Sequence, residues 1–410
     1  MNTAVNDIDL GTVDLSGPDL FVGEPPHELF ARMRAEAPVR WNPMANGDGF
    51  WSVTKAADIA AISKDAATFS SERRGVFVDE ERPMPVEVLN QIILGMDPPR
   101  HTKYRGIVQK AFTPRIVAQQ EEHIRTRVRN LIDGICEKGE CDLVKEVSIE
   151  LPLQVIAELL GVPQEDRQKL FAWTMQIEES VDNPEVSGPE ALGQIGMHLA
   201  EMVAARRDEP ADDLLSALVA AEIDGEGLND FEIAAFFGLL MFAGNDTTRN
   251  TITGGTLAMV EHPDERQKLV DNPALIDSAV EECLRWVTPV MHFRRTPTTD
   301  TELRGVQLKE GDKVVVWYTS GSRDEESVPD PMRFDVGRSE KIGHQAFGGG
   351  GRHFCLGSPL ARMELKLIYP EILRRLPDLE LAGPVGRTHS NWVNGYTSMP
   401  VTFTPTPREG

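Results

Sequence analysis

The sequence predicts a mainly α-helical protein with a minor β portion. Three observations carry that prediction. From about Pro99 to Arg285 the pattern is helical, and Pro114, Pro152, Pro163, Pro189, Pro210, Pro263 and Pro273 fall where helices would begin or end. Short alternating apolar stretches lie on either side of this region. Helices and strands interleave without a regular βαβ alternation, which argues against a Rossmann-type sheet.

Taken in order, residues 1–20 read as a loose leader. A short helix is expected over Pro26–Ala37. Val39-Arg40-Trp41 and Gly49–Val53 alternate and read as a hairpin. Residues 72–95 are rich in proline and charge, so a long loop with a short helix inside is expected. Asn229-Asp230 caps a helix that runs to Glu261, where His262-Pro263 stops it. At 1.5 Å per residue that helix is roughly 50 Å long, enough to cross a domain. Strands are expected again at Glu302–Leu308, Lys313–Thr319 and Val401–Thr404. There is no internal repeat and no low-complexity linker.

Composition narrows the function. Of the 410 residues 40% are hydrophobic and 26% charged, as in a globular protein with a sizeable core. Sixty-five acidic against 42 basic residues leave a net charge of −23. Such a chain is poorly suited to nucleic acid or to anionic lipid. The four cysteines, Cys136, Cys141, Cys283 and Cys355, form no C-x-x-C pair, and so sparse a set fits a reducing cytoplasm. The N-terminus lacks the basic and apolar regions of a signal peptide. The longest nearly apolar run, Ile233–Gly244, is too short to span a bilayer, so no integral membrane contact is expected.

Cys355 follows Phe347-Gly348-Gly349-Gly350-Gly351-Arg352-His353-Phe354, and a helical pattern begins just after it. Glycines allow tight turns and close approach of a flat ligand. A helix N-terminus stabilises a thiolate through its dipole and free N–H groups. This is how a chain would offer one sulfur to haem iron. A structural cysteine is the simpler reading of the residue alone. A zinc site from His344, His353 and Cys355 lacks a fourth ligand at standard spacing. There is no P-loop and no Gly-x-Ser-x-Gly elbow.

Three further patterns point the same way. Ala243-Gly244-Asn245-Asp246-Thr247-Thr248 interrupts the apolar run of the long helix with residues that disfavour a buried helix. A groove beside Gly244 for dioxygen, with Thr247 donating and Asp246 relaying protons, would explain the break. Threonines bonding back to the preceding turn are the alternative. Glu282-x-x-Arg285 puts an acid and a base on one helix face, and Arg333 could complete a buried three-way network. His101 and Arg105 share a helix face, and with Arg295 they offer donors suited to carboxylates.

In this order and spacing the four motifs resemble those of bacterial soluble cytochrome P450 monooxygenases. The resemblance covers nearly the whole chain. It implies one triangular, mostly helical domain over residues 1–410, holding haem b between the long helix and the helix after Cys355. It implies Cys355 as the iron ligand, His101, Arg105, Arg295 and His353 at the propionates, Phe347 and Gly357 flanking the haem, and Asp246 and Thr247 in oxygen activation. Hydrogen peroxide-driven members carry arginine and proline at the last two positions, so that chemistry is disfavoured. The family usually steps seven positions from the loop Phe to its Cys. Here the step is eight, and the added glycine is expected to bulge outward.

The longer loop and Ser390–Val401 look most like a subgroup that oxidises terminal methyl groups of sterol side chains, methyl-branched fatty acids and linear isoprenoids. The expected partners are a small apolar substrate, O2 and an iron–sulfur ferredoxin with its NAD(P)H-dependent reductase. Arg100, Lys103, Lys110, Arg115, Arg352 and Arg362 could form a basic patch for such a ferredoxin. The candidate substrate pocket comprises Val76, Phe77, Leu239, Met241, Ala243, Val290, Met291, Phe293, Trp392 and Val393; each taken singly reads as ordinary core, and together they suggest an apolar, elongated substrate. Terpenoid hydroxylation of other regiochemistry, or a haem-based sensor without turnover, are the alternatives.

Overall fold

The computed structural model describes residues 8–44, 49–78, 86–182, 186–338 and 342–409. Its backbone is the 32-residue central helix Asp230–Glu261. Asn229 and Glu232 form a reciprocal capping box at its start, each side chain accepting from the other's N–H at 3.0 Å. The expected helix thus ends where His262-Pro263 stops it. Around it pack Glu121–Ile135, Glu150–Leu159, Ile276–Val287 and Ser358–Arg375, whose apolar faces close the main core. Leu151 and Ile156 meet Phe236, Phe237, Leu365 and Ile368 in that core. The prolines mark boundaries as expected: Pro114, Pro189, Pro263 and Pro273 occupy first turns.

A five-stranded sheet stands at one side, in the order Val39–Pro43, Gly49–Val53, Val314–Trp317, His292–Pro297, Phe69–Ser70. Gly49–Val53 pairs parallel to Val314–Trp317, and the other pairings are antiparallel. The hairpin expected at 39–53 is its outer edge. A smaller sheet joins Glu380–Leu381, Pro400–Thr402 and Glu140–Asp142.

Two expectations are corrected. The stretch Glu302–Leu308 is not one strand. It is a hairpin of Thr301–Leu303 and Val306–Leu308, turned by Arg304 (φ 51°) and Gly305 (φ 80°). The leader is not loose where described. Val13, Leu15 and Phe21 are buried against Phe30, Phe50, Met291 and Trp317, with Phe21 stacked on Trp317 at 5.7 Å. Hydrophobic residues two apart in a polar stretch gave too weak a pattern to show this. Residues 1–7 of the leader and 79–85 of the long loop lie outside the described residues. Among the described residues no helix is long and apolar enough to cross a membrane.

Candidate active site

Cys355 sits at the mouth of the helix Ser358–Arg375, whose N-cap is Gly357 and whose first turn holds Pro359. Its own N–H donates to the Phe347 carbonyl at 3.1 Å, which closes the glycine loop. Gly348 (φ 90°), Gly350 (φ 90°) and Gly351 (φ 73°) adopt conformations that side chains resist. Gly349 is buried and Gly351 exposed; a Cβ on Gly349 would lie 2.4 Å from Ser63 Oγ and one on Gly351 would lie 2.0 Å from the Ser63 carbonyl, so the loop lies against the end of the helix Ala56–Lys64. Burial pushes the Cys355 thiol up, while the Gly357 N–H, Arg105, Arg362 and the Ser358 N–H favour the thiolate. The Arg362 guanidinium lies 4.4 Å from the centre of the Phe347 ring.

The scaffold behind the loop is ionic. Arg285, fully buried, donates to both oxygens of Glu282 (2.7 and 2.8 Å) and to the carbonyls of Ser322, Pro331 and Arg333. The predicted three-way network exists with a different third member. The Arg333 side chain is 59% exposed and faces Glu265, whereas Arg338 Nε reaches Glu282 at 3.1 Å. Arg333 contributes its carbonyl, a role that residue type cannot reveal. One turn away, Glu281 binds Arg362 (2.5 and 2.8 Å) and His344 (3.0 Å). Those two partners hold its carboxyl down at about 2 against the opposing effect of burial, the largest single influence. Both His344 ring nitrogens are thereby engaged, by Glu281 and the Ala346 N–H, and no metal cluster of His, Cys, Asp or Glu occurs among the described residues.

Four candidate anion donors converge. The His101 and His353 rings lie 4.3 Å apart. Both ring nitrogens of buried His101 lack a partner. His353 meets Ser71 Oγ at 3.2 Å. Burial first, then Arg105, lowers His101 to about 4, and burial with Arg295 lowers His353 well below its ordinary value. Arg105 donates to the Phe354 carbonyl (2.7 Å), and Arg295 to the Arg294 carbonyl (2.7 Å). Cations and an orphaned imidazole gathered beside a thiol in this way suit a dianionic, iron-bearing ring. The residues present fit haem iron.

The central helix supplies the opposite wall. Leu239, Ala243 and Thr247 follow one another at intervals of four, and Ala243 is exposed in mid-helix. Its neighbours Ala235, Gly238, Phe242 and Gly244 are half-buried, so this part of the helix borders accessible space. A Cβ on Gly244 would meet Ile156 at 2.9 Å, so its lack of a side chain also serves helix packing. Thr247 Oγ1 donates to the Ala243 carbonyl (3.0 Å), and Thr251, Thr253 and Thr256 bond back in the same way. Asp246 is buried beside Arg249 (2.5 Å) and Asn250 (3.2 Å); burial pushes its carboxyl up while Arg249 and Asn250 oppose this. Farther along, Gly255 admits Tyr369, whose hydroxyl donates to the Thr251 carbonyl at 2.7 Å.

The remaining wall is aromatic. Val76, Phe77, Leu239, Phe293 and Trp392 form one cluster with Leu89, Ile92 and Ala235. Phe77 meets Trp392 edge-on at 5.0 Å and Phe293 at 6.2 Å, and Phe242 stacks on Trp392 at 6.1 Å. Phe242 was missed, because it is one apolar residue among many on its helix. Met291 is corrected: it is buried with Leu15, Phe50 and Trp317, behind the wall. Met241 is buried in the main core. Val290 and Val393 pair with each other as a β-bridge at the wall's edge.

The cationic patch is smaller than expected. Lys103 pairs with Asp224 (2.5 Å), Arg362 with Glu281, and Arg100 donates to the Asn90 carbonyl (2.7 Å). Lys110, Arg115 and Arg352 remain exposed without an ion pair among the described residues, beside exposed Phe354.

Comparison with known proteins agrees with this geometry. The family profile "Cytochrome P450" matches residues 190–377. A steroid C26-monooxygenase of Rhodococcus jostii is 39% identical over 402 residues, 95% of this chain and 84% of that protein. A methyl-branched lipid omega-hydroxylase of Mycobacterium tuberculosis is 38% identical over 414 residues, covering 97% and 95%. A Mycobacterium marinum cytochrome P450 solved in complex with pseudoionone superposes with a TM-score of 0.89 at 39% identity, covering 97% of this chain and 99% of that one. The chain belongs to the cytochrome P450 family and is a monooxygenase that uses haem iron.

Proposed function

We propose that this cytochrome P450 hydroxylates a terminal methyl group of a slender apolar substrate: a steroid side chain, a methyl-branched fatty acid or a linear isoprenoid. The observation that carries the reading is the stripe of exposed Ala243 flanked by half-buried Leu239 and Thr247, beside a wall of Phe77, Phe242, Phe293 and Trp392. Rings packed this closely suit a narrow chain presented end-on. The printed activities of the two relatives lend support.

Cys355 would hold the iron of haem b, and His101, Arg105, Arg295 and His353 would hold its propionates. When bound, the haem activates dioxygen, placing one atom in a C–H bond and releasing the other as water. The Gly357 and Ser358 N–H groups favour the thiolate against the opposing effect of burial. Asp246, kept protonatable by burial, passes protons to Thr247, whose hydroxyl leaves the Ala243 carbonyl to present them to the cavity. The aromatic wall excludes water and aims the substrate. Electrons would come from an acidic ferredoxin docking over Lys110, Arg115, Arg352 and Phe354, in a cytoplasmic setting.

The test is turnover with a surrogate ferredoxin and reductase on three probes: pseudoionone, cholesterol and 15-methylhexadecanoic acid. Terminal alcohol from at least one is expected, preceded by a low- to high-spin shift. Product only at internal carbons would favour the alternative regiochemistry. A spin shift without NADH-dependent product would favour a sensor.

A further inference from the structure

The leader and the aromatic wall are joined at one residue. Asn391 Nδ2 donates to the carbonyls of Leu15 (3.1 Å) and Ser16 (2.7 Å), more than 370 positions away in sequence. Trp392 follows directly. Its carbonyl accepts from Met291 N–H at 2.8 Å, and Met291 packs in the same cluster as Leu15. Ser390 Oγ accepts from the N–H groups of Trp392 and Val393, both at 3.1 Å. On the far side Asn394 donates to the Val287 carbonyl (2.6 Å) and accepts from Arg387 (3.0 Å). Trp392 therefore stands between two asparagine clamps, of which one grips the body of the protein and the other grips the leader.

The two clamps differ in what they hold. Asn394 is tied to the end of the helix Ile276–Val287, which the buried Glu282–Arg285 pair fixes. Asn391 is tied to a segment whose own anchorage is apolar: Leu15 and Phe21 under Trp317, with Asp14 bonding the Ser16 N–H at 2.7 Å. Phe77, Phe242 and Phe293 meet Trp392 by ring contact.

We infer that Asn391 is a positioning residue for regioselectivity, and that the leader segment Val13–Phe21 acts through it as the back support of the Trp392 wall. The inference rests on the proposal that Trp392 lines the substrate cavity. A tryptophan with loosened backbone would tilt within its ring cluster and widen the cavity end. Substrates would then offer internal carbons as well as the terminal methyl.

The experiment compares wild type with Asn391→Asp, which keeps size and loses both N–H donors, and with Asn391→Gln, which keeps the donors on a longer arm. Hydrogen exchange of the 386–396 backbone should quicken in the Asp variant, with the reduced carbonyl spectrum unchanged. Its ratio of terminal to internal alcohol should fall about five-fold, as for loss of one to two neutral hydrogen bonds, with partial recovery in the Gln variant. Binding of 4-phenylimidazole, whose phenyl ring presses on the wall whatever the true substrate, should weaken about as much. If Asn391→Asp does not take up haem, Asn391→Ser replaces it. Faster exchange with unchanged product ratio and unchanged phenylimidazole affinity would overturn the inference, and so would unchanged exchange. If wild type makes no terminal alcohol from any probe, the substrate proposal fails, and the phenylimidazole result still decides the role of Asn391.

Discussion

On the cysteine side of the cavity, the Arg285 side chain spends all of its N–H donors on Glu282 and three backbone carbonyls. Across the cavity, Phe77, Phe242, Phe293 and Trp392 are held chiefly by contact with one another. Directional bonds fix one geometry, whereas ring contacts accept small tilts at little cost. The molecule thus keeps its chemistry on a rigid side and its choice of substrate on a compliant one.

Breaking the rigid side has the larger effects. Cys355→Ser is expected to abolish turnover and to remove the thiolate signature from the reduced carbonyl spectrum; retention of either would end the thiolate assignment. Arg285→Ala leaves buried Glu282 with Arg338 and the Asp335 N–H as its partners, and should cost about 3–5 kcal/mol in denaturant unfolding. A loss below 1 kcal/mol would show that the scaffold is not as fixed as its geometry suggests. On the central helix opposite the cysteine, Asp246→Asn should lower kcat roughly 10²-fold while leaving substrate-induced spin shifts intact. An unchanged kcat would remove Asp246 from proton delivery.

The compliant side should respond in selectivity. Trp392→Ala is expected to change the kcat/KM ratio between cholesterol and pseudoionone roughly ten-fold, with a stability change smaller than that of Arg285→Ala. Equal effects on both probes would place Trp392 outside the selective wall. The smallest effect concerns pH. His101, lowered to about 4 by burial and by Arg105, stays neutral in the fold while the unfolded chain takes up a proton near 6.5. Apoprotein stability should therefore fall as pH drops from about 6.5 toward 4, and less so in His101→Gln. Parallel pH curves for the two proteins would contradict this.

The same division explains what the sequence revealed. The rigid side uses scarce residue types at short spacings: Cys355 after four glycines, Glu282 three before Arg285. Each spacing has a local geometric meaning, so each was legible. Arg333 misled because its carbonyl is used and its side chain is not. The compliant side is assembled from segments far apart in the chain, out of residues that any core contains. Met291 and Phe242 are indistinguishable by type, and only tertiary packing puts one behind the wall and the other in it. The leader failed for the same reason, since its anchorage depends on Trp317 and Asn391.

The hydroxyl of Tyr369 on the Thr251 carbonyl links the helix that begins after Cys355 to the helix that carries Thr247. Gly255 leaves no room for anything but that ring between them. The width of the slot in which the porphyrin would lie is then gauged from outside the slot, by a phenol acting as a spacer bar.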